Sequence, residues 1–279
     1  MPHIELVEAV NDPGVPGKTG DDRYGFDGAA GTAWALDGAT DVTDLRPFPT
    51  HESGAAWVAE TLSGLLTTAP WPEDEPADYW RRVLKRLIDR AEDTSKIPIK
   101  DLPGEAKPIA AGVWMRLHDD GHADFAWLGD CVALLKTGGG VETLGSPEKA
   151  DAETEEARRL LAMTPEARLK ALQTARSLQN TDGNWIFGLD DQAADHLKTA
   201  TRPLDPGAEA ILMTDGFYRL ISPYAAYDAA GLFDLVRAEG LSAAVRALRA
   251  MEGADADNAA LGRIKTRDDA CALWLRAVG

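Results

Sequence analysis

The sequence predicts an α+β protein built around antiparallel strands. Two long apolar runs, Ile109 to Leu117 and Asp124 to Lys136, are joined by the polar turn 118–122, which is the pattern of a β-hairpin. Helical periodicity occurs elsewhere, in the blocks 53–67 and 78–92. Strands paired by hairpins, with helices in separate blocks, favour helices packed on the faces of an antiparallel sheet.

The remaining elements follow from short apolar runs and the residues that end them. Gly38 ends one such run, and Pro165 is suited to the start of a helix. We see no internal repeat and no linker-like break, so we expect one domain over 1–279 with a helical segment at about 148–180. The other expected elements are strands at 4–10, 32–37, 210–214 and 270–276, and a helical stretch at 224–250.

Composition excludes several classes of protein. A formal net charge of −17 would repel nucleic acid, so we expect no direct nucleic-acid partner. No apolar run is long enough to cross a membrane, and the N-terminus lacks the features of a signal peptide. Cys131 and Cys271 lie in apolar runs, which is typical of buried, reduced thiols. We therefore expect a cytoplasmic protein that neither spans nor binds a membrane.

Several aspartates stand where predicted strands begin or end. Asp37 and Asp215 each end an apolar run and precede a glycine, and Asp130 ends the segment that starts at Phe125. The pair Asp268–Asp269 comes directly before the last predicted strand. Strand ends hold side chains rigidly, so carboxylates from separate strands can form a common site.

Such a site suits Mg²⁺ or Mn²⁺. Both ions prefer several oxygen ligands, and the five histidines show no zinc-ligand spacing. Two such ions held close together can activate water at neutral pH and hold phosphate oxygens in line for displacement. The sequence therefore predicts hydrolysis of a phosphate ester without a protein nucleophile.

The order of these motifs resembles the metal-dependent protein phosphatases of the PPM group, the type 2C serine/threonine phosphatases. That family shows an acidic pair after the first strand, an Asp-Gly after the second, a Gly-Asp in mid-chain, a late Thr-Asp-Gly and an Asp near the last strand. The match covers about residues 4–278. The corresponding residues here are Asp21-Asp22, Asp37-Gly38, Gly129-Asp130, Thr214-Asp215-Gly216 and Asp268-Asp269.

The resemblance implies a four-layer α-β-β-α sandwich of two antiparallel sheets flanked by helices. It also implies that Asp37 bridges two ions, that Asp21 and the Gly38 carbonyl serve one of them, and that Asp215 and Asp268 serve the other. Asp22 would orient the water. In the family, the residues at the positions of Asp130 and Asp215 also help to hold a third ion, but its usual aspartate is Arg219 here, which argues against a third ion in this chain.

Two further positions depart from the family pattern. The phosphate-binding arginine is replaced by Gly17, so Lys18 would bind phosphate as a point charge. Ala39 stands where eukaryotic members carry a histidine thought to be the general acid, so the proton for the leaving group would come from water or from another group.

We expect a phosphatase acting on phosphoserine or phosphothreonine in proteins. The alternatives are the same fold acting on a small phosphorylated metabolite, and a catalytically weak member that senses or scaffolds a partner. A P-loop NTPase is disfavoured, because Asp12 stands where the loop needs glycine and Gly20-Asp21-Asp22 follows Thr19 where a helix is required.

Overall fold

Two antiparallel sheets form the centre of the computed structural model, which describes residues 2–69, 74–181, 183–255 and 265–279, without the side chains of 150–154. The strands of the described residues are β1 His3–Asp12, β2 Arg23–Asp27, β3 Thr32–Gly38, β4 Ile109–Leu117, β5 His122–Leu128, β6 Val132–Thr137, β7 Gly140–Leu144, β8 Phe187–Gly188, β9 Lys198–Pro203, β10 Glu209–Met213 and β11 Ala270–Val278.

Seven α-helices accompany these strands within the described ranges. Ser53 begins the first by accepting a hydrogen bond from the amide of Ala56, and Thr164 begins the fourth in the same way. The helices are α1 Gly54–Thr67, α2 Pro76–Thr94, α3 Glu148–Leu161, α4 Pro165–Ser177, α5 Asp215–Tyr218, α6 Ala229–Glu239 and α7 Leu241–Ala254.

Every strand pair in the described part of the chain is antiparallel, as the hairpin pattern predicts. One sheet has the order β1-β11-β10-β6-β7 and the other β2-β3-β4-β5-β9, with β8 paired to β4. In the second sheet Asp37 pairs with Ala111 across β3 and β4, and in the first Met213 pairs with Ala272 across β10 and β11.

Three apolar clusters separate four layers. Trp34 and Trp114 point from one sheet towards α1 and α2. The inner faces of the two sheets meet in a cluster that includes Phe125 and Leu273. The outer face of the other sheet packs on α6 and α7, for example through Ile211. The expected α-β-β-α sandwich is therefore confirmed.

The prediction of one strand over 124–136 is wrong. The segment forms β5 and β6, which belong to different sheets, and the chain breaks between them at Gly129 and Asp130. Gly129 has φ +84°, and a Cβ there would lie 2.4 Å from the Cβ of Ala111. Only glycine fits this close, left-handed turn, which brings Asp130 to the end of both sheets.

The helical stretch expected at 224–250 is also divided. Helices α6 and α7 meet at Gly240, whose φ is +85°. Within 148–180 the structure has the two helices α3 and α4. Among the described residues, none of the helices is long and apolar enough to span a membrane. The two cysteines are free and buried, as expected.

Candidate metal centre

The predicted acidic residues meet at one end of the sandwich. Asp37 lies near the end of β3, Asp130 between β5 and β6, and Asp215 at the start of the short helix after β10. Asp22 directly precedes β2, and Asp268 closely precedes β11. Burial is the largest cause of the raised pKa values of Asp22, Asp37 and Asp215, and repulsion from neighbouring carboxylates adds to it, so the topology brings together residues that are distant in sequence.

Asp37 and Asp215 share a hydrogen bond between their carboxyl groups. Burial, followed by the charges of Asp22 and Asp215, raises the pKa of Asp37 well above its usual range. Burial and the charges of Asp268 and Asp130 raise the pKa of Asp215 to about 6. Two carboxylates this close need a proton or a cation between them.

Asp22 lies behind this pair and is almost completely buried, at 1% exposure. Thr214 donates a hydrogen bond of 2.7 Å to its Oδ2, and Asn11 Nδ2 donates to its backbone carbonyl. Burial raises the pKa of Asp22 well above its usual range. The hydrogen bond from the Thr214 hydroxyl lowers this pKa, whereas the charge of Asp269 raises it further. These contacts hold the carboxylate in one orientation.

Asp21 is held beside the first turn of α1. Ser53 Oγ, the N-cap of that helix, donates a hydrogen bond of 2.6 Å to Asp21 Oδ1. A Cβ on Gly38 would lie 2.8 Å from the Asp21 carbonyl and 2.6 Å from that of Ala55, so only glycine allows the end of β3 to approach this loop.

Asp269 anchors the loop that carries the acidic pair. Its carboxylate accepts hydrogen bonds from the amides of Gly14 and Asp21. Its backbone carbonyl lies against Gly216, where a Cβ would come within 1.9 Å. The second residue of the 268–269 pair is therefore a structural link between the first loop, the late Asp-Gly turn and β11.

Asp130 and Asp268 differ in their surroundings. Asp130 Oδ1 is buried and has no hydrogen-bond partner among the described residues. Asp268 instead forms ion pairs with Arg219, at 2.6 Å, and Lys265, at 3.0 Å. Burial by itself would raise the pKa of Asp268, but the positive charges of Arg219 and Lys265 outweigh it and hold this pKa below its usual value.

The donor set suits a hard divalent cation in its chemistry. The centre offers carboxylate and carbonyl oxygens, crowded carboxylates with raised pKa values and the unpaired Asp130 oxygen. Over the described ranges, however, no group of three or more His, Cys, Asp or Glu side chains is arranged so that it could hold a metal ion. Binding would have to replace existing contacts, such as the Asp37–Asp215 hydrogen bond.

Lys18 lies outside this cluster. Its side chain is 59% exposed, and its Nζ is 3.6 Å from Glu52 Oε2. Gly17 has φ +83°, a backbone conformation that disfavours an arginine at this position. A phosphate-binding role for Lys18 stays a prediction.

Sequence reasoning missed the residues that support the centre. Ser53 carried a usable signal, because a serine directly before a helical pattern is a typical N-cap. Thr214 lies within a motif that was recognised, but nothing indicated its bond to Asp22. Lys265 carried no signal, since its contact with Asp268 depends on the local path of the chain.

The family to which the chain belongs, together with its fold, supports a hydrolase of the phosphatase kind. The chain belongs to the protein phosphatase 2C family, whose model matches residues 16–251. No curated protein sequence matches it significantly.

Three solved structures share the fold at low sequence identity. PppA, described as a key regulatory component of the T6SS in Pseudomonas aeruginosa, is 17% identical with a TM-score of 0.58, over 99% of this chain and 98% of that one. The catalytic domain of the serine/threonine phosphatase PstP, in complex with 2 manganese ions, is 14% identical with a TM-score of 0.56 over 100% of both chains. The phosphatase MsPP from Mycobacterium smegmatis, in complex with cacodylate, is 16% identical with a TM-score of 0.54, over 98% and 99%.

Proposed function

We propose that this chain is a metal-dependent phosphatase that hydrolyses phosphoserine and phosphothreonine in proteins. The observation that carries the proposal is the pairing of Asp37 with Asp215, beside the buried Asp22 and the unpaired Asp130 oxygen, in a chain of the protein phosphatase 2C family. Crowded carboxylates of this kind are stabilised by a cation.

Asp37, Asp215, Asp21 and the Gly38 carbonyl would hold Mg²⁺ or Mn²⁺. When bound, such an ion lowers the pKa of water and neutralises charge on a phosphoryl group. Asp22, fixed by Thr214 through Oδ2, would accept a hydrogen bond from the attacking water and orient it towards phosphorus. Ala39 has no proton to give, so solvent would protonate the leaving oxygen.

Protein substrates are proposed from the family and from its relatives. PstP and MsPP are both named as serine/threonine phosphatases. The two free, buried cysteines agree with the cytoplasmic location that we propose.

A substrate panel tests this proposal. With saturating Mn²⁺, we expect kcat/KM for phosphothreonine and phosphoserine peptides to exceed that for sugar and nucleotide phosphates. A preference for one small phosphorylated metabolite would replace the protein substrate and keep the reaction class.

A catalytically weak sensor or scaffold is the second candidate. It is favoured by Asp268, which is already bound by Arg219 and Lys265, and by the absence of a side chain at Gly17. Turnover of an aryl phosphate with Mn²⁺ distinguishes the enzyme from the scaffold. If wild-type protein releases phosphate and Asp37→Asn does not, the protein is an enzyme. If wild type releases phosphate no faster than Asp37→Asn, it is a scaffold.

A further inference from the structure

Asp268 is the member of the acidic cluster whose carboxylate is already bound by cations. Its Oδ2 accepts a hydrogen bond of 2.6 Å from Arg219 Nη2, and its Oδ1 accepts one of 3.0 Å from Lys265 Nζ. The amide of Asp269 also donates to Oδ1, at 3.2 Å. Both oxygens that a metal ion would need therefore have positively charged partners.

These ion pairs continue into a larger network under α7. Glu252 is fully buried and lies between Arg219, at 3.5 Å, and Arg249, at 2.7 Å. Arg249 in turn binds Asp12 on β1. Within this network three cations face three carboxylates, so the charge of Asp268 is compensated by side chains alone.

On the other side of the cluster, Asp37 and Asp215 have no direct ion pair among the described residues, and the charges of Arg219 and Lys265 act on them only through space. Asp37 and Asp215 contact each other, and Asp130 Oδ1 is unpaired among the described residues. A guanidinium stays protonated at all physiological pH values, and because it is part of the chain it cannot dissociate as a bound metal ion can. Arg219 is thus a permanent positive charge on one side of the centre, and an exchangeable cation is needed only on the other.

We propose that Arg219, with Lys265, supplies the positive charge on the Asp268 side, so that Asp268 is not a metal ligand and the chain binds one Mn²⁺ tightly, not two. This inference rests on the proposed metal-dependent function. It replaces the role that the family resemblance implies for Asp268 and differs from PstP, which was solved with 2 manganese ions.

The number of bound ions tests the proposal directly. We would titrate metal-free protein with Mn²⁺ and measure free Mn²⁺ by electron paramagnetic resonance, together with calorimetry. Wild type should bind one ion tightly and any second ion at least about tenfold more weakly. Arg219→Gln should gain a second tight ion, whereas Arg219→Lys, which keeps the charge, should behave as wild type.

Arg249→Gln is the matched control, because Arg249 belongs to the same network without contacting Asp268. It should leave the stoichiometry at one. If loss of Arg219 weakens the fold, Asp268→Asn asks the same question: we expect it still to bind one ion, more weakly than wild type because Asp268 no longer offsets the charges of Arg219 and Lys265, while Asp37→Asn should lose that ion.

The outcomes separate this inference from the proposed function. Two tightly bound ions in wild type, or loss of an ion in Asp268→Asn, would overturn the inference and leave a metal-dependent phosphatase. No Mn²⁺ binding by any variant would overturn both.

Discussion

Asp37 and Asp215 share one hydrogen bond at the centre of the acidic cluster, and their carboxyl groups do not support the apolar core. Asp37→Asn and Asp215→Asn should each lower kcat/KM for a phosphate ester by at least about a hundredfold, because each removes a proposed metal ligand. The folded, metal-free variants should be more stable than wild type, because one of several crowded charges is gone.

Steady-state kinetics at saturating Mn²⁺ and urea unfolding in EDTA measure these two effects. Asp120→Asn, in the exposed hairpin turn, is the control and should change neither. Near-wild-type turnover in Asp37→Asn or Asp215→Asn would remove that residue from the proposed centre.

Lys18 lies in the loop that leads into the acidic pair Asp21-Asp22. If it binds phosphate, Lys18→Ala should raise KM more than it lowers kcat, which is the pattern of lost uniform binding. Lys85→Ala is a matched control, because Lys85 is also exposed and faces one carboxylate, that of Asp191. An unchanged KM in Lys18→Ala would leave Lys18 as a solvated lysine paired with Glu52.

The acidic members of the centre could be predicted from sequence, but their partners could not. Asp37 lies near the end of the buried strand β3 and Asp215 closely follows the buried strand β10, and that position in the sequence indicates where they lie. The pairing of Asp268 with Arg219 joins residues 49 positions apart, and no periodicity encodes such a contact. The sequence shows that Arg219 departs from the family pattern, but only the structure shows that Asp268 is its partner.

At the scale of elements, the turn between β5 and β6 should depend on Gly129. Gly129→Ala would place a methyl group 2.4 Å from the Cβ of Ala111 and force a side chain into φ +84°. We expect a loss of about 2 kcal/mol or more in the free energy of unfolding, measured with urea.

Gly138→Ala is the matched control for this substitution. Gly138 follows β6 and has no atom within 4 Å of the position of a Cβ, so its replacement should cost less than about 0.5 kcal/mol. Equal stability of the two variants would mean that the turn does not need glycine.

The strands that sequence analysis missed are short and mostly polar. Strands β2, β7 and β9 lie at sheet edges, and β9 is exposed or half-buried throughout. Edge strands need no alternation of apolar residues, because much of their surface faces water. The buried strands β4, β10 and β11 could be predicted because each is a nearly continuous apolar run.

For the whole molecule, clustered carboxylates make stability depend on pH in an unusual direction. The folded pKa of Asp215 is about 6, above the value of about 4 for an unfolded chain. Between these two values the folded state binds more protons than the unfolded state does. The free energy of unfolding therefore decreases as pH rises from about 4 to about 6. For Asp215 alone, the shift corresponds to about 3 kcal/mol at most.

Urea unfolding in EDTA at pH 4.5, 5.5 and 6.5 measures this effect. The stability advantage of Asp215→Asn over wild type should grow with pH across this window. Asp268, whose pKa is lowered, contributes in the opposite sense and mainly below pH 4, so it should not mask the trend. If the stability advantage of Asp215→Asn over wild type became smaller as pH rose, the raised pKa of Asp215 would be contradicted.

The central claim is that this acidic cluster hydrolyses phosphate esters only with a divalent cation. The most direct measurement is the initial rate of aryl phosphate hydrolysis by chelated protein as Mn²⁺ or Mg²⁺ is added back, with Asp37→Asn as the control. Oxygen ligands alone bind these ions weakly enough to exchange, so we predict no activity in EDTA, a saturable return with added ion and no return in the variant. Full activity of the wild-type protein in excess EDTA would contradict the account.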